Sequence, residues 1–284
     1  MSMSRRLVAI THEPSPNMQR YERTFVGDET IDLALARRQH AAYRSALAAC
    51  GAEVIVLDTN LEMADCVFVE DTALVLDEIA VMMSPGAASR RHEPAGIEPT
   101  LHAFRRIERL SLPATMDGGD IVVSGRDIYV GASPRTNARG IKDLREVLRP
   151  FGYRVTGVRV TGCLHLKTAC SALPDGSFLV NRDWIGAEAL PPSKLLPVPA
   201  DEPWASDVLV VGERIIVSDA FPRTIELLSG RGWRVTPVSV SEFAKAEGGV
   251  TCLSLVFADG ATAASATSGE DASAASASRP TGRA

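Results

Sequence analysis

The sequence predicts an α/β protein built as a closed ring of five repeated β-rich units, and three observations lead there. A hairpin design recurs: DTALVLDEIAVMMSPG from Asp71, DIVVSGRDIYVG from Asp120, CSALPDGSFLVNRD from Cys170 and SDVLVVGERIIVSDAFP from Ser206. Each joins two apolar runs through a short loop, as at Ser124-Gly125-Arg126, where glycine is available for positive φ. The strand starts Thr72, Asp120, Cys170, Asp207 and Cys252 lie 48, 50, 37 and 45 residues apart, with helical or linker sequence between most of them. One such unit cannot bury both faces of its sheet, so near-regular units must stack on one another. A fifth strand, TCLSLVFADG from Thr251, completes its unit by pairing with the N-terminal strand LVAITH. In blade-like rings the polar residues at equivalent strand starts converge on the axis, and chemistry is placed there.

The elements follow in order. LVAITHEP from Leu7 is a buried strand leading into a polar loop, Ser15 to Asp28, that is suited to act as a lid. From Ile31 to Cys50 strong helix formers carry Leu33, Ala36, His40, Tyr43 and Leu47 on one stripe, and Gly51 is the stop signal. AEVIVLD is a strand. After the first hairpin and the Arg90-Arg91 loop, a helix is expected around Leu101 to Leu110 and another from Arg139 to Arg149. YRVTGVRV restores β character, and Cys163, His165 and Lys167 would share one face of an extended strand. Leu190 to Pro203 is a proline-rich linker, and a short helix near Arg223 to Leu228 precedes WRVTPVSVSEF. Residues 1–259 are expected to form one domain. The stretch 260–284, rich in Ala and Ser, has little to bury and is expected to be a disordered tail.

Composition narrows the function. With 284 residues, 45% of them hydrophobic, the chain can bury a substantial core. A net charge of −5 and no block of five Lys or Arg argue against nucleic acid or an anionic membrane as partner, and favour a small cationic one. No apolar run approaches the roughly 20 residues that span a bilayer, so a cytoplasmic location is expected. The five cysteines are odd in number and form no CxxC, which supports neither a disulfide framework nor a zinc knuckle.

Residues 65–71, DCVFVED, put three carboxylates around one aromatic ring in a strand-like segment. They form either a cation pocket, with Phe68 stacking on the guest, or a solvated edge whose charges deter aggregation. Arg90 and Arg135 suit a substrate carboxylate, or are surface charges. Asp117 and Asp120 flank Gly118-Gly119, which lets main chain approach closely. Glu247-Gly-Gly-Val-Thr-Cys252 offers the same freedom next to a thiol, but spacing alone does not choose among Cys163, Cys170 and Cys252 as nucleophile.

Five runs, DCVFVED, PGAASRR, MDGGDIVVSGRDIYVGASPRTN, LHLKTACS and GGVTCLSL, lie in order from residue 65 to 255. Together they resemble the dimethylarginine dimethylaminohydrolases, members of the guanidino-group-modifying superfamily with arginine deiminases and amidinotransferases. The resemblance implies a five-unit α/β propeller with pseudo-fivefold symmetry. It also implies Cys252 as nucleophile, His165 as general acid and base, and Asp117 as the carboxylate that orients or charges the histidine. Asp65, Glu70 and Asp71 would hold the cationic groups of the substrate with Phe68 against it, and Arg90 and Arg135 its α-carboxylate. Asp120 and Glu247, the latter where Asp can occur, fall in the substrate-binding set. The implied reaction turns asymmetric dimethylarginine or monomethylarginine into citrulline plus dimethylamine or methylamine through a covalent thiouronium. It needs no metal or cofactor, and the chain would be a monomer or homodimer. The alternatives are an arginine deiminase or amidinotransferase, and a module that binds cationic amino acids without turnover.

Overall fold

The computed structural model describes residues 5–259, so the expected tail from residue 260 lies outside the described residues. Its strands are β1 (Arg6–His12), β2 (Ala52–Leu57), β3 (Ala73–Val75), β4 (Ile79–Met82), β5 (Arg106–Arg109), β6 (Ile121–Ser124), β7 (Asp127–Ala132) and β8 (Arg154–Arg159). They continue with β9 (Cys170–Ala172), β10 (Phe178–Val180), β11 (Leu195–Pro197), β12 (Val208–Val211), β13 (Arg214–Ser218), β14 (Arg234–Val238) and β15 (Leu255–Asp259). The helices are α1 (Leu33–Ala49), α2 (Glu93–His102), α3 (Ala138–Leu148), α4 (Leu166–Ala169), α5 (Pro222–Gly230) and α6 (Ser241–Ala244).

Among the described residues the strands form five three-stranded sheets: β3-β4-β5, β6-β7-β8, β9-β10-β11, β12-β13-β14 and β15-β1-β2. Each is an antiparallel hairpin with a third strand parallel to the middle one. A parallel neighbour needs a crossover, and α1, α2, α3 and α5 supply it in four of the five units. β15 pairs antiparallel with β1, Phe257 opposite Val8, so the two ends of the chain close the ring as expected. The first strands β3, β6, β9, β12 and β15 surround an axial cavity of about 340 Å³. The architecture is the α/β propeller with pseudo-fivefold symmetry.

The core is divided among the units. Ile79, Val81, Ile121 and Ile128 pack between the first two units, while Leu179, Val208, Ile215 and Val217 pack between the third and fourth. Val8, Ile10, Val69, Met82 and Phe257 pack where the ring closes. α1 starts where Asp32 accepts the Leu35 amide at 2.9 Å, ends before Gly51 at φ +92°, and buries Ala36, His40, Tyr43 and Leu47. At α3, Asn137 accepts the Gly140 amide at 2.8 Å.

Five local expectations need correction. The helix falls on Glu93–His102, opened by Pro94, and not on 101–110, where Arg106–Arg109 is the third strand of the first sheet. Cys163, His165 and Lys167 do not share a strand face, because Gly162 at φ +72° turns the chain and Leu166 begins the single turn of α4. The chain from 247 to 254 is turns, and its strand starts only at Leu255. The segment Leu190 to Pro203 holds a strand, β11, and the loop from Ser15 buries Met18 and Tyr21 and contributes to the core.

Candidate active site

The turns that precede first strands bring their side chains to one end of the axis. The turn Val69–Thr72 before β3 carries Asp71, with Asp65 and Phe68 just upstream. The turn Gly118–Asp120 before β6 follows Asp117, His165 stands one residue before α4, and Cys252 lies in the turn before β15. Asp65, Phe68, Asp71, Arg90, Arg135, His165, Glu247 and Cys252 line one cavity of about 20 Å³, together with Glu22 from the N-terminal loop. Asp117 sits behind them, fully buried.

His165 is the hub. Its Nε2 lies 3.0 Å from Asp117 Oδ2 and its Nδ1 4.0 Å from Asp71 Oδ1. The Gly119 amide donates to Asp71 Oδ1 at 2.9 Å, and a Cβ at Gly119 would sit 2.7 Å from His165 Nδ1. The glycine is therefore required by close approach to the imidazole. Burial alone would lower the His165 pKa, but Asp71, Asp117 and Asp120 outweigh it and push it up to about 9. Burial opposes ionisation of Asp71 too, yet His165 and Arg90 hold its carboxyl down to about 2. Oxygen and nitrogen atoms of Asp71, Asp117 and His165 lie within 4.8 Å of one another, and an imidazolium bridging two carboxylates accounts for that approach.

Cys252 is set apart from the other cysteines. Cys66, Cys163 and Cys170 are buried, and burial pushes each thiol up to about 12, so they are inert packing groups. Cys252 is half-buried in the cavity wall, and its Sγ accepts the Gly249 amide at 3.4 Å. Burial, then Asp207, Glu70 and Asp71, raise its pKa well above the ordinary value, so the resting group is a thiol.

The expected site residues divide by where their polar atoms go. Arg135 gives one hydrogen bond, to Asp117 at 3.3 Å, and keeps donors in reserve. Asp65 accepts the Glu22 amide at 3.2 Å. Arg90 is spoken for: it donates to Asp71 at 2.6 Å, to both oxygens of Glu93 and to the Phe68 carbonyl. Glu70 faces the axial cavity and not the site cavity, because Lys167 at 2.6 Å and Thr251 at 2.9 Å hold it there. Asp120 is fully buried and off the site cavity, its oxygens taken by the Leu166 amide, Ser133 and Thr136. It fixes the start of α4, and with it His165. Glu247, at φ +62°, accepts the amides of Thr24, at 3.1 Å, and Phe25.

Comparison with known proteins gives the family. The family model described as N,N dimethylarginine dimethylhydrolase, eukaryotic, matches residues 9–172. A curated N(G),N(G)-dimethylarginine dimethylaminohydrolase of Streptomyces coelicolor is 40% identical over 87% of this chain and 95% of its own length. The chain belongs to the dimethylarginine dimethylaminohydrolase family. A second member, from Pseudomonas aeruginosa, is 36% identical over 80% of this chain and 90% of its own. The solved structure of the P. aeruginosa enzyme, a cysteine-to-serine mutant complexed with citrulline, has a TM-score of 0.83 at 33% identity, covering 90% of this chain and all of that one. The N-terminal domain of a cyanobacterial arginine dihydrolase, 19% identical with a TM-score of 0.77 over 89% of this chain and 98% of that one, shares the fold.

Sequence reasoning missed several groups around this family site. Glu93 locks Arg90, Glu22 touches Asp65, and Thr251 and Asp207 lie beneath Cys252. Asp207 already stood out as a strand start. Its chemistry was hidden because its partner is 44 residues away.

Proposed function

We infer that the chain is a cysteine hydrolase that converts asymmetric dimethylarginine or monomethylarginine to citrulline, releasing dimethylamine or methylamine. The observation that carries this is the meeting in one cavity of a half-buried thiol, a charged imidazole and Asp71, with Asp117 behind the imidazole. A guanidinium carbon is a poor electrophile, so it needs a thiolate and a fixed orientation. The resting Cys252 is a thiol in an acidic surround; arrival of a cation beside it favours the thiolate, and the thiol proton leaves to solvent as the substrate enters. The thiolate adds to the guanidinium carbon, and His165, already protonated at neutral pH, gives its proton to the departing amine as the C–N bond breaks. The neutral imidazole then takes a proton from water as it adds to the thiouronium. Breaking the C–S bond frees citrulline.

Asp71 is placed to meet the guanidinium, Asp65 the α-ammonium and Arg135 the α-carboxylate, with Phe68 packed against the chain between them. Arg90 keeps Asp71 ionised and oriented. A cavity of about 20 Å³ holds about one water, so substrate entry requires the loop held by Glu247 to swing away. We place the enzyme in the cytoplasm, where free thiols persist.

The test is a panel of arginine and its methylated forms, with citrulline, ammonia and the methylamines each quantified. The inference expects citrulline and amine in equal amounts, loss of both in Cys252→Ser, and a covalent mass increase on Cys252 after acid quench. Ammonia from arginine at higher kcat/KM than amine from the methylated substrates would make the chain a deiminase.

A further inference from the structure

We infer that Asp207 is a positioning residue for Cys252 and that it acts as a neutral, proton-bearing acid, the first donor of a chain Asp207–Thr251–Glu70 beneath the sulfur. This rests on Cys252 being the nucleophile. Asp207 sits at the start of the fourth unit, one residue before β12, and accepts the Thr251 amide on Oδ1 at 3.0 Å. Its Oδ2 lies 3.2 Å from Thr251 Oγ1. On the other side of that hydroxyl, Glu70 Oε2 lies 2.9 Å away, and Glu70 Oε1 accepts from Lys167 Nζ at 2.6 Å.

A hydroxyl owns one hydrogen. If both acids were ionised, two anionic oxygens would face one O–H and one of the two contacts would have no proton in it. That is a costly pairing for groups that are both buried. A proton on Asp207 Oδ2 resolves it: Asp207 donates to Thr251 Oγ1, Thr251 donates to Glu70, and the ionised Glu70 pairs with Lys167. Placing the proton on Glu70 instead would leave Lys167 without its counter-ion. Burial, then the neighbouring Glu70, pushes the Asp207 carboxyl up to about 7, in the same direction.

The acid grips the nucleophile's turn on both sides. Besides Thr251, it packs under Gly249, where a Cβ would lie 2.3 Å from Asp207 Oδ2, and the Gly249 amide is the one that reaches Cys252 Sγ. The acids that raise the Cys252 thiol are Asp207, Glu70 and Asp71; His165 lines the same cavity and Lys167 pairs with Glu70. Ionisation of Asp207 adds a negative charge beside the sulfur and makes its thiolate harder to form.

The test measures alkylation of Cys252 by iodoacetamide against pH, by mass spectrometry, on the wild-type chain, Asp207→Asn and Asp207→Ala, alongside kcat. At about pH 6, where Asp207 holds its proton, Asp207→Asn is expected to alkylate at the wild-type rate; by about pH 8.5, where Asp207 has ionised, it is expected to run roughly tenfold faster, equivalent to about one unit in the thiol pKa. Asp207→Asn can still accept from the Thr251 amide and donate to Oγ1, so it recovers at least about tenfold of the kcat lost in Asp207→Ala. A wild type that alkylates more slowly than Asp207→Asn already at about pH 6, or equal kcat in the two variants, would overturn the inference. Should either variant fail to fold, Thr251→Ser and Thr251→Val decide: serine keeps the relaying hydroxyl and is expected to hold kcat at least about tenfold above valine, and equality overturns. Alkylation needs no substrate, so a wild-type protein that forms no citrulline sinks the proposed reaction and leaves this inference to the alkylation profile.

Discussion

Each of the two acids beside His165 has its own arginine, Arg90 on Asp71 and Arg135 on Asp117, and their surroundings assign the two different work. Arg90 is buried with every polar direction answered, so removing it strands Asp71 and Glu93 together in the interior. Arg90→Ala is expected to cost about 3–5 kcal/mol, read as a drop in urea midpoint, and Arg90→Lys restores little of it because an ammonium lacks the fork. Arg135→Ala is expected to raise KM by about tenfold or more at nearly constant midpoint if, as proposed, its remaining donors take the substrate carboxylate. His165 titrates in the same neighbourhood. Its folded pKa of about 9 is raised above the ordinary 6.5. Its stabilising contribution is therefore complete below about 6.5 and is lost as pH rises through 9, where an unfolding series against pH should show a decline absent from His165→Gln. The acids at 65, 70 and 71 were legible as a cluster because charge in a strand-like run breaks its patterning. Their division was not: within one tight turn Asp71 faces the site cavity while Glu70 faces the axial one, and only the partners Lys167 and Thr251 decide that.

At the scale of elements, the hairpins and the helices α1 and α3 were readable because each carries its own pattern and cap. The third strands β5 and β11 escaped. Four and three residues long, they have no alternation to show and exist because a crossover delivers them beside a middle strand. The N-terminal loop is held shut from the far end of the chain by Glu247, whose carboxylate takes two loop amides while its own backbone sits in the left-handed region. Glu247→Ala removes both acceptors. It is expected to speed limited proteolysis between residues 15 and 28 severalfold and to raise KM more than it lowers kcat. A proteolysis rate equal to wild type would mean that packing of Met18 and Tyr21 suffices to hold the loop.

The whole molecule depends on closure. Every sheet buries its faces against neighbours, so no unit has a complete core alone, and β15 against β1 is the pairing that closes the ring. A chain ending at Ser254 keeps Cys252 yet loses that pairing, and with it Phe257 against Val8 and Ile10. It is expected to lose the single cooperative unfolding transition that calorimetry should show for the full chain, where a surface substitution such as Arg6→Ala shifts the midpoint only slightly. The ring also has an order in time. Synthesis delivers the acids of residues 65–71 first, the imidazole a little past the middle of the chain, and the sulfur a few residues before the strand that seals the circle. A nascent chain stopped between residues 165 and 252 carries the acids and the imidazole but lacks Cys252, so such a fragment has no sulfur at the site with which to form a thiouronium.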